Sequence, residues 1–286
     1  MHFLGFSRNK KQFAGLVALF VVVLLLSILS QLPANWVLSK PFIKQAIEQK
    51  INPSQKLKIL ASRGTIWQGE VDLAIEKHVA NNTKSASAIS IGKIAWDLNL
   101  ASLLITKLSA DIDWQLGQST LSAEVSTGIF SSMETRNLHI SDVNGVINLK
   151  DLMPKLAFKK VAESPITQNL AGLVAINHFE AEYLLQAKWF SALESDIQID
   201  ELSVMNNVFP TLNLKANLQE ERIKARLNGQ KTGWQLNGMA SLNKNYAYHL
   251  DLNLKATSEK ELPDWAFLLQ KKSAVNYVTK LQGRLF

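Results

Sequence analysis

The chain has 286 residues, 47% of them hydrophobic, with no cysteine and a formal net charge of +7. Without cysteine there is neither a disulfide framework nor thiolate chemistry, so the fold must rest on its core. The positive balance does not mark a nucleic-acid binder. Three of the 31 basic residues, Arg8, Lys10 and Lys11, lie in one N-terminal tail, leaving 28 against 24 acids, and no block of Lys and Arg with interleaved aromatics follows.

Residues 13–32, FAGLVALFVVVLLLSILSQL, form the first predicted element. Up to Leu29 the only polar side chain is Ser27, and at 1.5 Å per residue the stretch makes a helix of roughly 30 Å, the thickness of a bilayer's hydrocarbon core. Phe13, Leu16, Phe20, Leu24 and Ile28 are its candidate membrane-anchoring side chains. Basic residues before such a helix stay in the cytoplasm, which sends the rest of the chain outward. A cleaved signal peptide is the competing reading and requires small residues at −3 and −1. Cuts after Ser30 or Ala34 put Ile28 or Leu32 at −3, so the expectation is an uncleaved anchor.

Trp36 follows, where aromatic rings favour the headgroup layer. From Pro41, the apolar residues Phe42, Ile43, Ala46 and Ile47 fall at helical spacing, as in an amphipathic helix on the membrane or a helix capping a domain. Gly64, Thr65, Trp67 and Gly69 then read as a corner around one large ring, introducing a strand in which Val71, Leu73 and Ile75 alternate with Asp72, Ala74 and Glu76. Residues 78–87 are a polar loop containing Asn81-Asn82-Thr83, a weak glycosylation triplet.

Beyond it the period is two. Ile94, Trp96, Leu98 and Leu100 form one apolar set, and Leu108, Ala110, Ile112, Trp114 and Leu116 form the next. Leu121, Ala123 and Val125 continue the pattern. These are half-buried antiparallel strands. Asn144-Gly145 predicts a hairpin between Leu138 to Ile140 and Val146 to Leu149. Residues 157–162 read as a short helix, and 170–189 as two strands or a partly helical stretch. Alternation returns around Leu212, Ile223, Trp234 and Tyr246, and a late helix is expected from Pro263, carrying Trp265, Leu268, Leu269, Val275 and Val278. The fold class is therefore mainly β: a long bent antiparallel sheet or a two-sheet sandwich, with an N-terminal transmembrane helix and one or two short capping helices.

No chemistry is assigned. The five histidines are scattered, and Asp111 and Asp113 lie on the wet side of a regular alternation. Ser90 with Lys93, and Lys231-Thr232-Gly233, match two signatures of penicillin-recognising serine enzymes. Ser90 precedes a strand rather than opening a helix, and the third signature has no match in order. No catalytic, metal or cofactor residues are predicted, and no enzyme activity.

The basic tail with one anchor, the Leu32-Pro33-Ala34-x-Trp36 exit, the Gly64-Thr65-x-Trp67-x-Gly69 motif, the Trp96-x-Leu98 strand and the closing Gly283-x-Leu285 together resemble the type II secretion system protein N (general secretion pathway protein N) family. The resemblance implies an accessory of the Gram-negative machine that moves folded proteins across the outer membrane. It would lie in the bacterial inner membrane as a single-pass protein, N-terminus cytoplasmic and β-rich domain periplasmic, with other type II secretion subunits as partners. It also implies kinship with AsmA-like proteins, whose bent sheets have apolar interiors and are associated with phospholipid traffic, which makes a lipid-binding or lipid-transfer module the alternative and phospholipid a further candidate partner. The expected organisation is a cytoplasmic tail at 1–12, an anchor at 13–32, a juxtamembrane linker with an amphipathic helix at 33–62, and a periplasmic domain at 63–286. Gly64, Thr65, Trp67, Gly69, Trp96 and Trp114 are its expected structural motif residues.

Overall fold

The computed structural model describes residues 17, 20, 24, 27, 31–41, 55–77, 88–129, 137–152, 170–204 and 207–284. They belong to two compact units, Met1–Ala88 and Ile89–Phe286. Among the described residues no helix is long and apolar enough to cross a membrane. Most of the expected anchor at 13–32, the amphipathic stretch from Phe42 to Ile47, the triplet at 81–83 and the short helix at 157–162 lie outside the described residues.

The first unit contains a short helix, Ala34–Leu38, and an antiparallel hairpin of β1 (Gln55–Gly64) and β2 (Gln68–Lys77). β1 thus begins within the stretch read as linker, and the glycine motif is the turn that leads from it into β2. Gly64 carries φ +82°, and a Cβ there would come 2.4 Å from the Gln68 carbonyl oxygen, so only glycine fits without strain. Val71 and Ala74, on opposite faces of β2, are both buried.

The second unit is one antiparallel meander. It runs through β3 (Ala88–Asn99), β4 (Lys107–Leu116), β5 (Ser119–Gly128), β6 (Asn137–Asn148), β7 (Leu170–Leu184) and β8 (Trp189–Val204), which carries the short β9 (Asn207–Val208). It continues through β10 (Leu212–Gln219), β11 (Arg222–Lys231), β12 (Trp234–Asn243) and β13 (Ala247–Ala256), and ends with β15 (Asn276–Arg284) inserted beside β13 and β14 (Gln270–Ser273) outermost. The strands join a single sheet, so the sandwich alternative does not form. Alternation sets the burial: in β10 Leu212, Leu214, Ala216 and Leu218 turn inward while Asn213, Lys215, Asn217 and Gln219 are exposed.

Four expectations are corrected. Residues 170–189 contain no helix, only β7, a turn and the start of β8. Asn144-Gly145 does not reverse the chain, because β6 continues through it, pairing with β5 and β7 on both sides. The dipeptide serves a bulge instead, where Asp142 (φ +50°) and Gly145 (φ +145°) take left-handed conformations. The helix expected from Pro263 shrinks to a 3-10 turn, Asp264–Leu268. All nine residues of β15 pair with the open side of β13, and that ladder outweighs the helical spacing of Val275 and Val278. Leu100 and Leu108, read as inward, are exposed, because β3 stops at Asn99 and a 3-10 turn, Leu100–Ile105, follows.

A hydrophobic core sits at one end of the sheet, where Leu212, Trp234, Leu236, Leu254, Ala256, Trp265 and Ala266 pack together. The 3-10 turn lays Trp265 against Phe209 (ring centroids 4.4 Å, stacked) and Trp234 (5.3 Å, edge-on). Leu254 is fully buried there. Leu254→Ala should therefore cost about 2–5 kcal/mol in urea unfolding, from lost burial and an uncollapsed cavity. Gly64→Ala should destabilise the β1–β2 turn by roughly 1 kcal/mol or more, read as lost amide hydrogen-exchange protection over residues 55–77.

Candidate functional site

Two of the motifs singled out in the sequence meet in the first unit. Thr65 N–H donates to the Gln68 carbonyl (2.8 Å), and the Thr65 hydroxyl accepts from the Gln68 (3.2 Å) and Trp67 (3.3 Å) amides. Ile66 N–H donates to Leu32 O (3.0 Å), and Pro33 bridges to Thr65. The Leu32-Pro33-Ala34 exit is thus tied to the hairpin tip, with Ala34 buried. Trp36 is exposed, and the Lys40 ammonium lies 3.7 Å from its ring centroid in a cation–π contact. Of the candidate anchoring residues, Phe20 and Leu24 are described, with helical backbone and exposed side chains, whereas Phe13, Leu16 and Ile28 are not.

Trp96 and Trp114 belong to the apolar face of the second unit. The Trp114 indole N–H passes over Gly92 and donates to Ile91 O (3.0 Å), fastening β4 to β3. Cross-strand partners share a face. Following them from Trp114 gives one continuous row: Ile94, Trp114, Leu121, Gly145, Ile176, Ile197, Leu214, Leu227, Gly238, Leu252 and Thr279. The row crosses the sheet from β3 to β15. Aromatic clusters close this face at both ends of the central strands. One is the Trp234–Trp265 group. The other is Trp189, which meets Tyr246 and Phe190 edge-on and donates its indole N–H to Glu221 O (3.1 Å). Burial against this cluster, with Tyr246 nearby, raises the Tyr183 phenol above its ordinary pKa.

The opposite face carries a groove of about 630 Å³ across β8 and β10–β13. One wall is the cross-strand row Glu194, Asn217, Lys224, Ser241 and His249; the other is Asp196, Lys215, Arg226, Met239 and Asp251, with His178 at its end. Between the walls lie Ser195, Ala216, Ala225 and Ala240, whose side chains turn to the apolar face, so the floor is backbone. Walls two residues apart along each strand leave a channel about 7 Å wide and roughly 20 Å long.

Charge is graded along this channel. Glu194 and Asp196 on β8 and Asp251 on β13 flank a basic centre of Lys215, Arg222, Lys224 and Arg226 on β10 and β11. Lys215 pairs with Asp196 (3.0 Å) and Lys224 with Glu220 (3.9 Å), while His249 and Lys280 share Asp251 (2.9 and 3.8 Å). Neither Arg222 nor Arg226 has an ion pair among the described residues. Guanidinium groups bind carboxylates and phosphates through parallel hydrogen bonds, so this centre is suited to an anionic partner group. On the same face Asp97, Asp111 and Glu124 line up across β3–β5, with Asp113 beside them. Single-sequence periodicity shows each of these charges as merely wet; only the register brings them together.

The residues weighed for chemistry in the sequence lie apart in the structure. Asp111 and Asp113 are exposed on the polar face. Ser90 lies near the start of β3, and Lys231-Thr232-Gly233 runs from the end of β11 into the β11–β12 turn, with neither sequence at a helix start. Among the described residues no group of His, Cys, Asp and Glu is placed to hold a metal.

Residues 55–269, from the first residue of β1 through the turn that seats Trp265, match the family described as Type II secretion system (T2SS), protein N. Type II secretion system protein N of Vibrio cholerae serotype O1 is 30% identical over 110 residues. That alignment spans 38% of this chain and 36% of the relative, so the chain matches little more than a third of the relative's length. No solved structure matches the chain. The family match takes in Gly64 to Gly69, Trp96, Trp114 and the groove strands together, and on it the chain belongs to the type II secretion system protein N family.

Proposed function

We propose that this protein is an inner-membrane accessory component of type II secretion, a structural part of the machine rather than an enzyme. The family match over the β-strands carries the reading. In it, residues 13–32 anchor the chain, with Phe13, Leu16, Phe20, Leu24, Ile28 and Trp36 facing lipid. Residues 1–12 stay in the cytoplasm, 33–62 link, and 63–286 stand in the periplasm. The exposed apolar side chains of Phe20 and Leu24 and the Trp36–Lys40 pair suit that role.

Contact with other secretion subunits runs through a sheet face rather than the β14 edge. β14, the outer strand, has four residues, all exposed, and carries Lys271 and Lys272, which oppose strand addition. The groove offers unpaired Arg222 and Arg226 instead, a surface for an acidic segment of a partner subunit. Deleting the gene should lower export of a secreted hydrolase, and the wild-type gene should restore it. A charge-reversed Lys224→Glu, Arg226→Glu variant, present at normal level, should fail to restore export. Full rescue by that variant would remove the groove from the contact.

The alternative is an AsmA-like lipid-binding or lipid-transfer module. The continuous apolar row from Ile94 to Thr279, with no second sheet among the described residues, favours it. Native mass spectrometry of the full chain released from membranes should then retain phospholipid at near one per chain. A lipid-free spectrum would leave the subunit-contact reading alone.

A further inference from the structure

The Leu100–Ile105 turn joins β3 to β4 and projects an aliphatic surface that no part of the described sheet covers. Leu104 is 87% exposed, Ile105 65% and Leu100 50%. Leu103, Leu108 and Ile129 are also exposed, and Ile129 N–H donates to Thr106 O (3.0 Å), which ties the end of β5 to the same tip. From Asn99 to Leu108 the sequence NLASLLITKL contains no acid, and its one charge is Lys107 at the base.

The tip is internally fastened. Asn99 Oδ1 accepts the Ala101 amide (3.1 Å), and Thr106, left-handed at φ +62°, donates its N–H to Leu103 O (3.1 Å). The buried Ser102 hydroxyl lies 2.6 Å from Asn99 O and 3.1 Å from Lys107 O, and accepts the Ser109 amide (3.2 Å). Leu104 and Ile105 are therefore held outward by hydrogen bonds beneath them.

Three features choose lipid over protein as what meets this surface. Protein interfaces draw their binding energy from Trp, Tyr and Arg, and this tip has none. Within the Leu100–Ile105 turn and its cap, the polar side chains of Asn99 and Ser102 turn their hydrogen bonds inward to backbone, as an apolar medium requires, and the exposed Thr106 lies beside Lys107 at the base. Its charge is one cation at the base and no anion, which matches anionic headgroups.

We propose that the Leu100–Ile105 turn is a lipid-contact site that seats Leu104 and Ile105 at the headgroup–acyl boundary of an anionic membrane. Lys107 then lies at headgroup level. Contacts of this kind enter a membrane by roughly 5–10 Å, a depth the side chains of one turn can reach. The site is separate from the apolar face of the sheet and does not depend on that face carrying lipid.

The absence of native cysteine makes the test direct. Full-length Leu104→Cys, labelled with an environment-sensitive nitrobenzoxadiazole dye, is placed in nanodiscs of phosphatidylethanolamine and phosphatidylglycerol and mixed with vesicles of the same lipids. Spin-labelled quenching lipid is put either in the nanodisc or in the added vesicles. Asp113→Cys, on the wet face of β4, serves as the control. The Leu104→Cys dye should shift to the blue and lose emission severalfold in one arm, which also tells whether the tip meets the protein's own membrane or an opposed one. Iodide should quench only the control. A dye at 104 that iodide reaches in both arms overturns the proposal, and so does one shielded from iodide but unquenched by either lipid, which would mean protein contact.

Discussion

The unbroken antiparallel register of the second unit is the constraint on which everything else depends. Paired residues share a face, so a slip of one position anywhere would send the apolar set of every later strand to the wet side. The row from Ile94 to Thr279 survives because irregularities are absorbed locally as bulges. In β7 the apolar face is held by Val174 and Ile176, then, after a bulge at Asn177, by Phe179 and Ala181. In β6 it passes from Leu138 and Ile140 to Gly145 and Ile147 across the bulge around Asp142. These bulges sit on neighbouring strands. Each switches the apolar set from even to odd numbers while keeping it on one side of the sheet.

That switch explains which parts of the fold were legible. β4, β10, β12 and β13 have one parity throughout, and their inward residues could be read directly: Ile112, Trp114 and Leu116, or Trp234 and Leu236. β6 and β7 change parity midway, so the same two-residue pattern broke into fragments. Asn144-Gly145 then looked like a hairpin turn and 170–189 like a mixture. The segment after Pro263 misled for another reason. Its apolar spacing suits a helix, but β13 offered an unpaired ladder, and partner backbone outweighs local periodicity.

The sites divide in the same way. Gly64, Thr65 and Trp67 announced a turn because the chemistry is local: a left-handed glycine and a hydroxyl closing over two amides. The groove announced nothing. Lys215 and Arg226 are eleven positions apart in sequence and become neighbours only through the β10–β11 register. The Leu100–Ile105 tip was present as sequence but was absorbed into the alternation of its flanking strands, since Leu100 continues the set Trp96 and Leu98 in phase. What removes it from the strand is Asn99, whose side chain caps the turn.

A single-layer sheet must protect two long faces as well as its edges, and here the β14 edge and the two faces are treated differently. The outer strand β14 is short and lysine-bearing, which leaves little backbone for another chain to pair with. Among the described residues the apolar face is closed by aromatic clusters at the ends of its central strands, around Trp189 and around Trp234 with Trp265. Between them the apolar face is only partly buried, and desolvating it rewards whatever lies against it. The polar face is open by construction, since its groove floor is backbone between two rows of charge. Its basic centre is flanked by acids, so a partner must supply a negative group in the middle and tolerate negative neighbours at both ends. Attraction to net charge alone would not meet that pattern, and a surface of this kind selects by position along the channel.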